Sequence, residues 1–125
     1  MLFRVLKNLI ASRAHPVEGD VLDHARGFLK ESQYEEAIGI LTALLDYRPD
    51  CVEGLVLRGI ANRETARLQE ALADLERATN LAPGDPRGLS ELASTWHALG
   101  DNRLALEYCA RAPACARAHR AFRIV

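Results

Sequence analysis

The sequence predicts an all-α protein in which helix–turn–helix units repeat to form a solenoid, and two observations support this prediction. The first is an internal period of 34 residues, at which Ala37 recurs as Ala71 and Ala105, and Pro49 as Pro83. The second is the apolar pattern within each period, which follows helical spacing twice with a turn between. The chain of 125 residues is 49% hydrophobic and 26% charged, which is typical of one soluble globular domain.

Residues 1–17 precede the repeats and are predicted to form an amphipathic helix. Arg4 and Lys7 interrupt its apolar run, so it lacks the continuous apolar stretch of a secretory signal. Three partners remain open for its apolar side: the outer face of the first repeat, the groove of the array or another protein, and a membrane surface or import receptor. The apolar side consists of Leu2, Phe3, Val5, Leu6, Leu9 and Ile10.

Three repeat units are predicted at residues 18–51, 52–85 and 86–112, each with two amphipathic helices. A solenoid unit cannot bury its apolar faces alone, so three stacked units are about the minimum and both ends need covers. Residues 113–125 are interpreted as a basic C-terminal capping segment.

Local signals predict where the helices begin and end. Asp20 is expected to cap the first helix, and Ser32 with Glu35 is expected to form a capping box before the second. The other signals are a cap followed by proline at Asp85 and Pro86, and the helix-ending prolines Pro49 and Pro83.

Small residues are predicted at the closest approach of paired helices, where a large side chain would be overpacked. They are Ala25, Gly59 and Ala93 in the first helices and Ala37, Ala71 and Ala105 in the second helices. With this pattern, residues 18–112 resemble the tetratricopeptide repeat family, whose unit places a small residue in each helix and a proline after the second. The departures are His24 and Arg58, where the family usually has leucine, and Asn62, where it has an aromatic residue. The resemblance implies a right-handed superhelix of antiparallel helix pairs that binds proteins.

The resemblance also implies that the first helices line a concave groove. Arg26 is the one cation at the positions with which a family subclass holds a peptide carboxylate, so a carboxylate clamp is not expected. Since other residues serve the core, Leu22, Leu29, Val56 and Ile60 are expected to form an exposed apolar patch that binds a helix or an extended segment. The alternative is that residues 1–14 or another protomer covers this patch. The groove positions are Leu22, Arg26, Leu29, Val56, Ile60, Arg63, Ser90, Ser94 and His97, together with Gly19, Glu53 and Arg87.

Metal binding and catalysis find little support in the sequence. Cys109, Cys115 and His119 could supply three zinc ligands, but Cys109 occupies the core position of Leu41 and Leu75, so the cysteines are predicted to be free of metal. No phosphate-binding loop, HExxH motif or nucleophile elbow occurs. No cofactor is therefore expected.

The charge balance excludes some classes of partner. With 16 basic and 17 acidic residues the net charge is −1, which gives no general attraction to nucleic acid. No apolar run reaches the roughly 20 residues of a membrane span. The odd cysteine count disfavours a secreted disulfide scaffold, and a cytoplasmic location is the default. Arginine and alanine richness hints at a bacterial source.

The sequence thus predicts a non-catalytic protein–protein interaction module, an adaptor, scaffold or chaperone-like protein, that binds a peptide or helix in its groove. Self-association through residues 1–14 or the groove is a further expectation. The principal alternative is the head of a larger enzyme, such as a glycosyltransferase or sulfotransferase with such repeats. The remaining alternative is a small metal-binding or catalytic protein.

Overall fold

A computed structural model describes residues 16–111, which fold into six α-helices. The helices are α1 (Pro16–Lys30), α2 (Tyr34–Tyr47), α3 (Val52–Glu64), α4 (Leu68–Leu81), α5 (Pro86–Ala98) and α6 (Asn102–Ala110). The segment proposed as an N-terminal helix lies outside the described residues apart from its last two, and the proposed C-terminal cap at 113–125 lies outside them entirely.

Each helix packs against the next along the chain, and the first helices of neighbouring repeats also contact one another, α1 with α3 and α3 with α5. This arrangement gives two broad faces. We call the face of α1, α3 and α5 the first-helix face and the opposite one, formed by α2 and α4, the second-helix face. The all-α solenoid predicted from the period is confirmed.

The small residues lie at the helix contacts, as predicted. Ala37, Ala71 and Ala105 are fully buried. At Gly59 an added Cβ would lie 2.6 Å from Cγ of Leu75, itself fully buried, so α3 and α4 approach closely because Gly59 has no side chain. With alanine or a larger residue at position 59, α3 and α4 could not approach this closely without displacing Leu75.

The turns between the two helices of each repeat share one backbone conformation. Ser32, Ala66 and Gly100 lie one period apart and all have positive φ, of 60°, 62° and 89°. In each turn the next residue donates its backbone N–H to a carbonyl five residues back, as Gln33 does to Phe28 at 2.7 Å. This is the Schellman arrangement, which satisfies the last carbonyls of a helix.

Two predicted caps are wrong. Asp20 lies inside α1, which begins at Pro16, a residue suited to the first turn because that turn needs no N–H from it. Ser32 takes the left-handed turn position, so Gln33 precedes α2 and no side chain caps that helix. The cap at Asp85 is confirmed, since its carboxylate accepts the backbone N–H of Arg87 at 3.0 Å.

Candidate functional site: a groove on the first-helix face

An apolar cavity of about 330 Å³ opens between α3 and α5 on the first-helix face. Its size falls at the lower end of the range of ligand pockets, about 300–1,000 Å³. We call this cavity the first-helix groove. It is lined by Arg26 from α1, by Glu53, Val56, Leu57 and Ile60 from α3, and by Pro86, Arg87, Ser90 and Glu91 from α5.

One end of the groove is closed by arginines that converge on a single carboxylate. Arg26 and Arg87 both donate to Oε1 of Glu53, Arg87 at 3.5 Å. Arg26 also pairs with Asp23 of its own helix at 2.7 Å. Arg87 also pairs with Asp85, the residue just before α5, at 2.9 Å. The bond that Arg26 donates to Glu53 raises the pKa of its guanidinium. Both cations are therefore already engaged by carboxylates of the same chain.

A second ion pair bounds the groove further along α3. Arg63 donates from Nη1 to the carboxylate of Glu91 at 2.7 Å and links the second repeat to the third. The side chain of Arg63 is only 17% exposed. The groove thus has an apolar floor between two sets of ion-paired side chains.

The structure brings together four of the nine principal groove positions in this cavity, namely Arg26, Val56, Ile60 and Ser90. The expectation of an exposed aliphatic patch is wrong in part, because Val56 is 5% and Leu22 is 7% exposed. Contact between neighbouring first helices buries them, so Val56 forms the floor and not the rim of the groove. Leu22, Leu29, Arg63, Ser94 and His97 do not line the cavity.

Several residues of the groove were not recognised as binding positions in the sequence. Leu57, Pro86 and Glu91 line it as well. The contact of Glu53 with Arg87 could have been predicted from the sequence. These residues are 34 positions apart, and equivalent residues of adjacent repeats lie side by side. The pairs of Arg26 with Glu53 and of Arg63 with Glu91 span 27 and 28 residues and follow no repeat rule.

The second-helix face carries a larger cleft, of about 600 Å³, with a different chemistry. At its base Arg58 forms a forked ion pair with Asp74, from Nε at 2.8 Å and from Nη2 at 2.7 Å. Asn62 donates to the same carboxylate at 3.1 Å. The two departures from the family pattern at Arg58 and Asn62 are thus explained by one polar network around Asp74. The cleft walls include the polar side chains Asp46, Glu76, Arg77 and Asn80.

The two described cysteines are buried core residues. Cys109 is 2% and Cys51 is 6% exposed. Burial raises the pKa of the Cys51 thiol to about 11, and this thiol donates to Glu18 at 3.2 Å. Among the described residues no group of three or more His, Cys, Asp or Glu side chains could hold a metal ion. Cys115 and His119 lie outside those residues.

The comparisons with known proteins identify the family. The tetratricopeptide repeat family profile matches residues 22–86, which is just over half of the chain. The chain therefore belongs to the tetratricopeptide repeat family, as its period and small residues predicted. None of the curated proteins matches the sequence significantly.

Solved structures share this fold at low sequence identity. The Sgt2 tetratricopeptide domain from Aspergillus fumigatus superposes with a TM-score of 0.80 at 20% identity, over 86% of this chain and 78% of that one. The first such domain of human RPAP3 superposes with a TM-score of 0.76 at 18% identity, over 82% of this chain and 86% of that one. MamA superposes with a TM-score of 0.76 at 19% identity, over 92% of this chain and 67% of that one. Within residues 16–111, no helix combines the length and the apolar character that crossing a membrane requires.

Proposed function

We propose that this protein is a non-catalytic interaction module that binds a segment of another protein in the first-helix groove. The observation that carries the proposal is the apolar cavity between α3 and α5, whose floor includes Val56 and Ile60. Such a cavity suits the apolar side chains of a helix or an extended segment, while the polar groups at its margins set orientation. Leu29, Ser94 and His97, from the predicted set, extend this surface along the first helices in the same proposal, whereas Leu22 is a buried core residue.

Two neighbours in structure support a peptide ligand. The first tetratricopeptide domain of Spaghetti (RPAP3) has been solved with an HSP90 peptide, and the TPR2B domain of yeast Sti1 in a complex with pHsp70. The adaptor, scaffold or chaperone-like role, the cytoplasmic location and the bacterial source remain predictions.

The test uses two substitutions that add the same side chain to opposite faces. Peptides selected from a random 12-residue display library on the wild-type chain are measured against Ser90→Phe and Ala73→Phe. Ser90 lines the groove, whereas Ala73 is exposed at the clefts of the second-helix face. Filling the groove should weaken binding at least about tenfold, since an apolar anchor side chain contributes about 1.5–3 kcal/mol when buried.

Circular dichroism of both variants controls for folding. Binding that survives Ser90→Phe but is lost in Ala73→Phe would move the interaction surface to the second-helix face. Selection that yields no peptide bound by the wild type or by Leu6→Asp, in which a charge interrupts the apolar side of residues 1–14, would contradict the interaction module itself.

The alternative, that these repeats form the head of a larger enzyme, remains a proposal. Its test is the reading frame after Val125, which would encode a catalytic domain.

A further inference from the structure

From the groove geometry, we infer that the first-helix groove is occupied by the N-terminal segment of the same chain, residues 1–14. The inference takes the groove proposed above as the binding surface but needs no outside partner. It makes the segment an internal ligand that a partner protein must displace.

The first argument is the electrostatics of the groove. Its charged side chains and their ion-pair partners comprise three arginines and four carboxylates, a net charge of −1, and every arginine is paired within the chain. A ligand carboxylate would therefore meet no free cation there and would be repelled by the acids. A segment with basic side chains suits these margins. The four acids are Asp23, Glu53, Asp85 and Glu91.

The second argument is the composition of the segment. Residues 1–14 carry three basic residues and no acid, whereas residues 16–111 carry ten basic and seventeen acidic residues, a net charge of −7. Leu2, Leu6 and Leu9 lie on one side of its helical projection, with Lys7 on the opposite side. The segment therefore offers the aliphatic side chains that the cavity floor accepts and the charge that its margins attract.

The third argument is the reach of the segment. Glu18 in the first turn of α1 contacts Cys51 just before α3, and Glu53 in the first turn of α3 contacts Arg87 in the first turn of α5, so the chain enters α1 at the end of the array at which Glu53 and Arg87 lie. Neighbouring helices pack about 8–10 Å apart, which puts the groove on the order of 15 Å from the start of α1. A 14-residue helix is about 21 Å long. Because a short tether gives effective concentrations in the millimolar range, even a weak apolar contact is then populated.

The test is zero-length cross-linking of the full chain with a carbodiimide, followed by peptide mapping. Lys7 and Lys30 are the only lysines in the sequence, so every cross-link from Lys7 is assigned without ambiguity. We expect Lys7 to couple to Glu53, Asp85 or Glu91. Coupling of Lys7 only to acids away from the groove, such as Glu35 and Glu36 of α2, or no coupling at all, would overturn the inference.

Matched variants separate specific docking from general charge attraction. Leu6→Asp places a carboxylate on the apolar side of the segment, and Asn8→Asp places one on its polar side. The yield of the Lys7 cross-link should fall about tenfold in Leu6→Asp, because an apolar contact is replaced by a desolvated charge, and by less than about twofold in Asn8→Asp. Equal losses in the two variants would contradict docking through the apolar side.

A mixture of ¹⁵N-labelled and unlabelled protein tests whether the segment comes from the same chain. Cross-linked peptides should be fully labelled or fully unlabelled. Mixed labelling would show that a second copy supplies the segment and would overturn the proposal. None of these outcomes depends on an outside partner, so failure here is distinguishable from failure of the peptide-binding proposal, which the Ser90→Phe comparison decides.

Discussion

The forked ion pair of Arg58 with Asp74 places two partly buried charges between α3 and α4. The side chain of Asp74 is 10% exposed and that of Arg58 is 24% exposed. Removing charges from water is unfavourable, and such a pair is tolerated only where its hydrogen bonds are nearly complete. Here the carboxylate accepts two bonds from Arg58 and one from Asn62.

We therefore predict that Asp74→Ala lowers the free energy of unfolding by about 3 kcal/mol, because it leaves the Arg58 charge in the interface without its partner. The double variant Arg58→Leu with Asp74→Ala should recover to within about 1 kcal/mol of the wild type, since the unpaired charge is also removed. Urea denaturation of the wild type, Asp74→Ala, Arg58→Leu and the double variant measures this coupling. Additive losses would show that the pair does not act as a unit.

This pair also shows what the sequence could not reveal at the scale of residues. The period located Arg58 as a departure from the family pattern, but its partner lies 16 residues away, at a separation that no helical rule links. By contrast, the burial of Ala71 and Cys109 followed directly from their register in the repeat. Register predicts which side of a helix is buried, whereas pairings across helices depend on how the helices dock.

At the scale of elements, the turn within each repeat imposes one backbone conformation on three different residues. Ser32 and Ala66 hold φ near 60°, a conformation that disfavours side chains with a Cβ by about 1–2 kcal/mol, whereas Gly100 has no such penalty.

Ser32→Gly and Ala66→Gly should each raise stability by about 0.5–1 kcal/mol, because relief of this strain exceeds the added flexibility of glycine in the unfolded chain. Gly100→Ala should lower stability by about 1 kcal/mol and serves as the converse control. Thermal denaturation of the three variants tests this. A less stable Ser32→Gly would show that other contacts of this turn outweigh the strain.

The Asp85 cap of α5 predicts that the stability of the protein depends on pH. Hydrogen bonds to the Asp85 carboxylate lower the pKa of Asp85 below its usual 3.8. The largest cause is the bond from the side chain of Arg87, followed by the bond from its backbone N–H. Asp85→Ala should lower stability by about 1 kcal/mol at pH 7. Because the folded pKa is the lower one, this stabilisation is complete above about pH 4 and is lost as the pH falls through the folded pKa.

The measurement is the free energy of unfolding of the wild type and of Asp85→Ala between pH 2 and 7. The difference between them should shrink below about pH 4. Asp85→Asn keeps an acceptor for the cap without a titrating group, so its advantage over Asp85→Ala should not change across this range. A difference that stayed constant in the wild type would show that the carboxylate charge does not contribute.

At the scale of the whole molecule, the period was sufficient to predict the repeating helix pairs, because stacked repeats need the same small residues at the same positions. The period did not predict how far the side chains at the groove positions are buried. Contact between first helices buries Leu22 and Val56, and the same packing leaves Ile60 half-buried at the groove. The apolar floor of the groove is therefore a product of the stacking of repeats.

A solenoid in which each repeat contacts only its neighbours should unfold in parts, because its stability is a sum of local terms. Leu44 in α2 and Leu92 in α5 provide a matched pair for testing this, since both are leucines with 1% exposure. Replacing either with alanine leaves a cavity that costs about 2–5 kcal/mol. Leu92→Ala should lower amide hydrogen-exchange protection mainly in α5 and α6, and Leu44→Ala mainly in α1 to α3. The helices far from each substitution should keep most of their protection, because their nearest interfaces are unchanged. If both variants lose protection evenly from α1 to α6, the array unfolds as one cooperative unit, and the groove between α3 and α5 could not open independently of the rest.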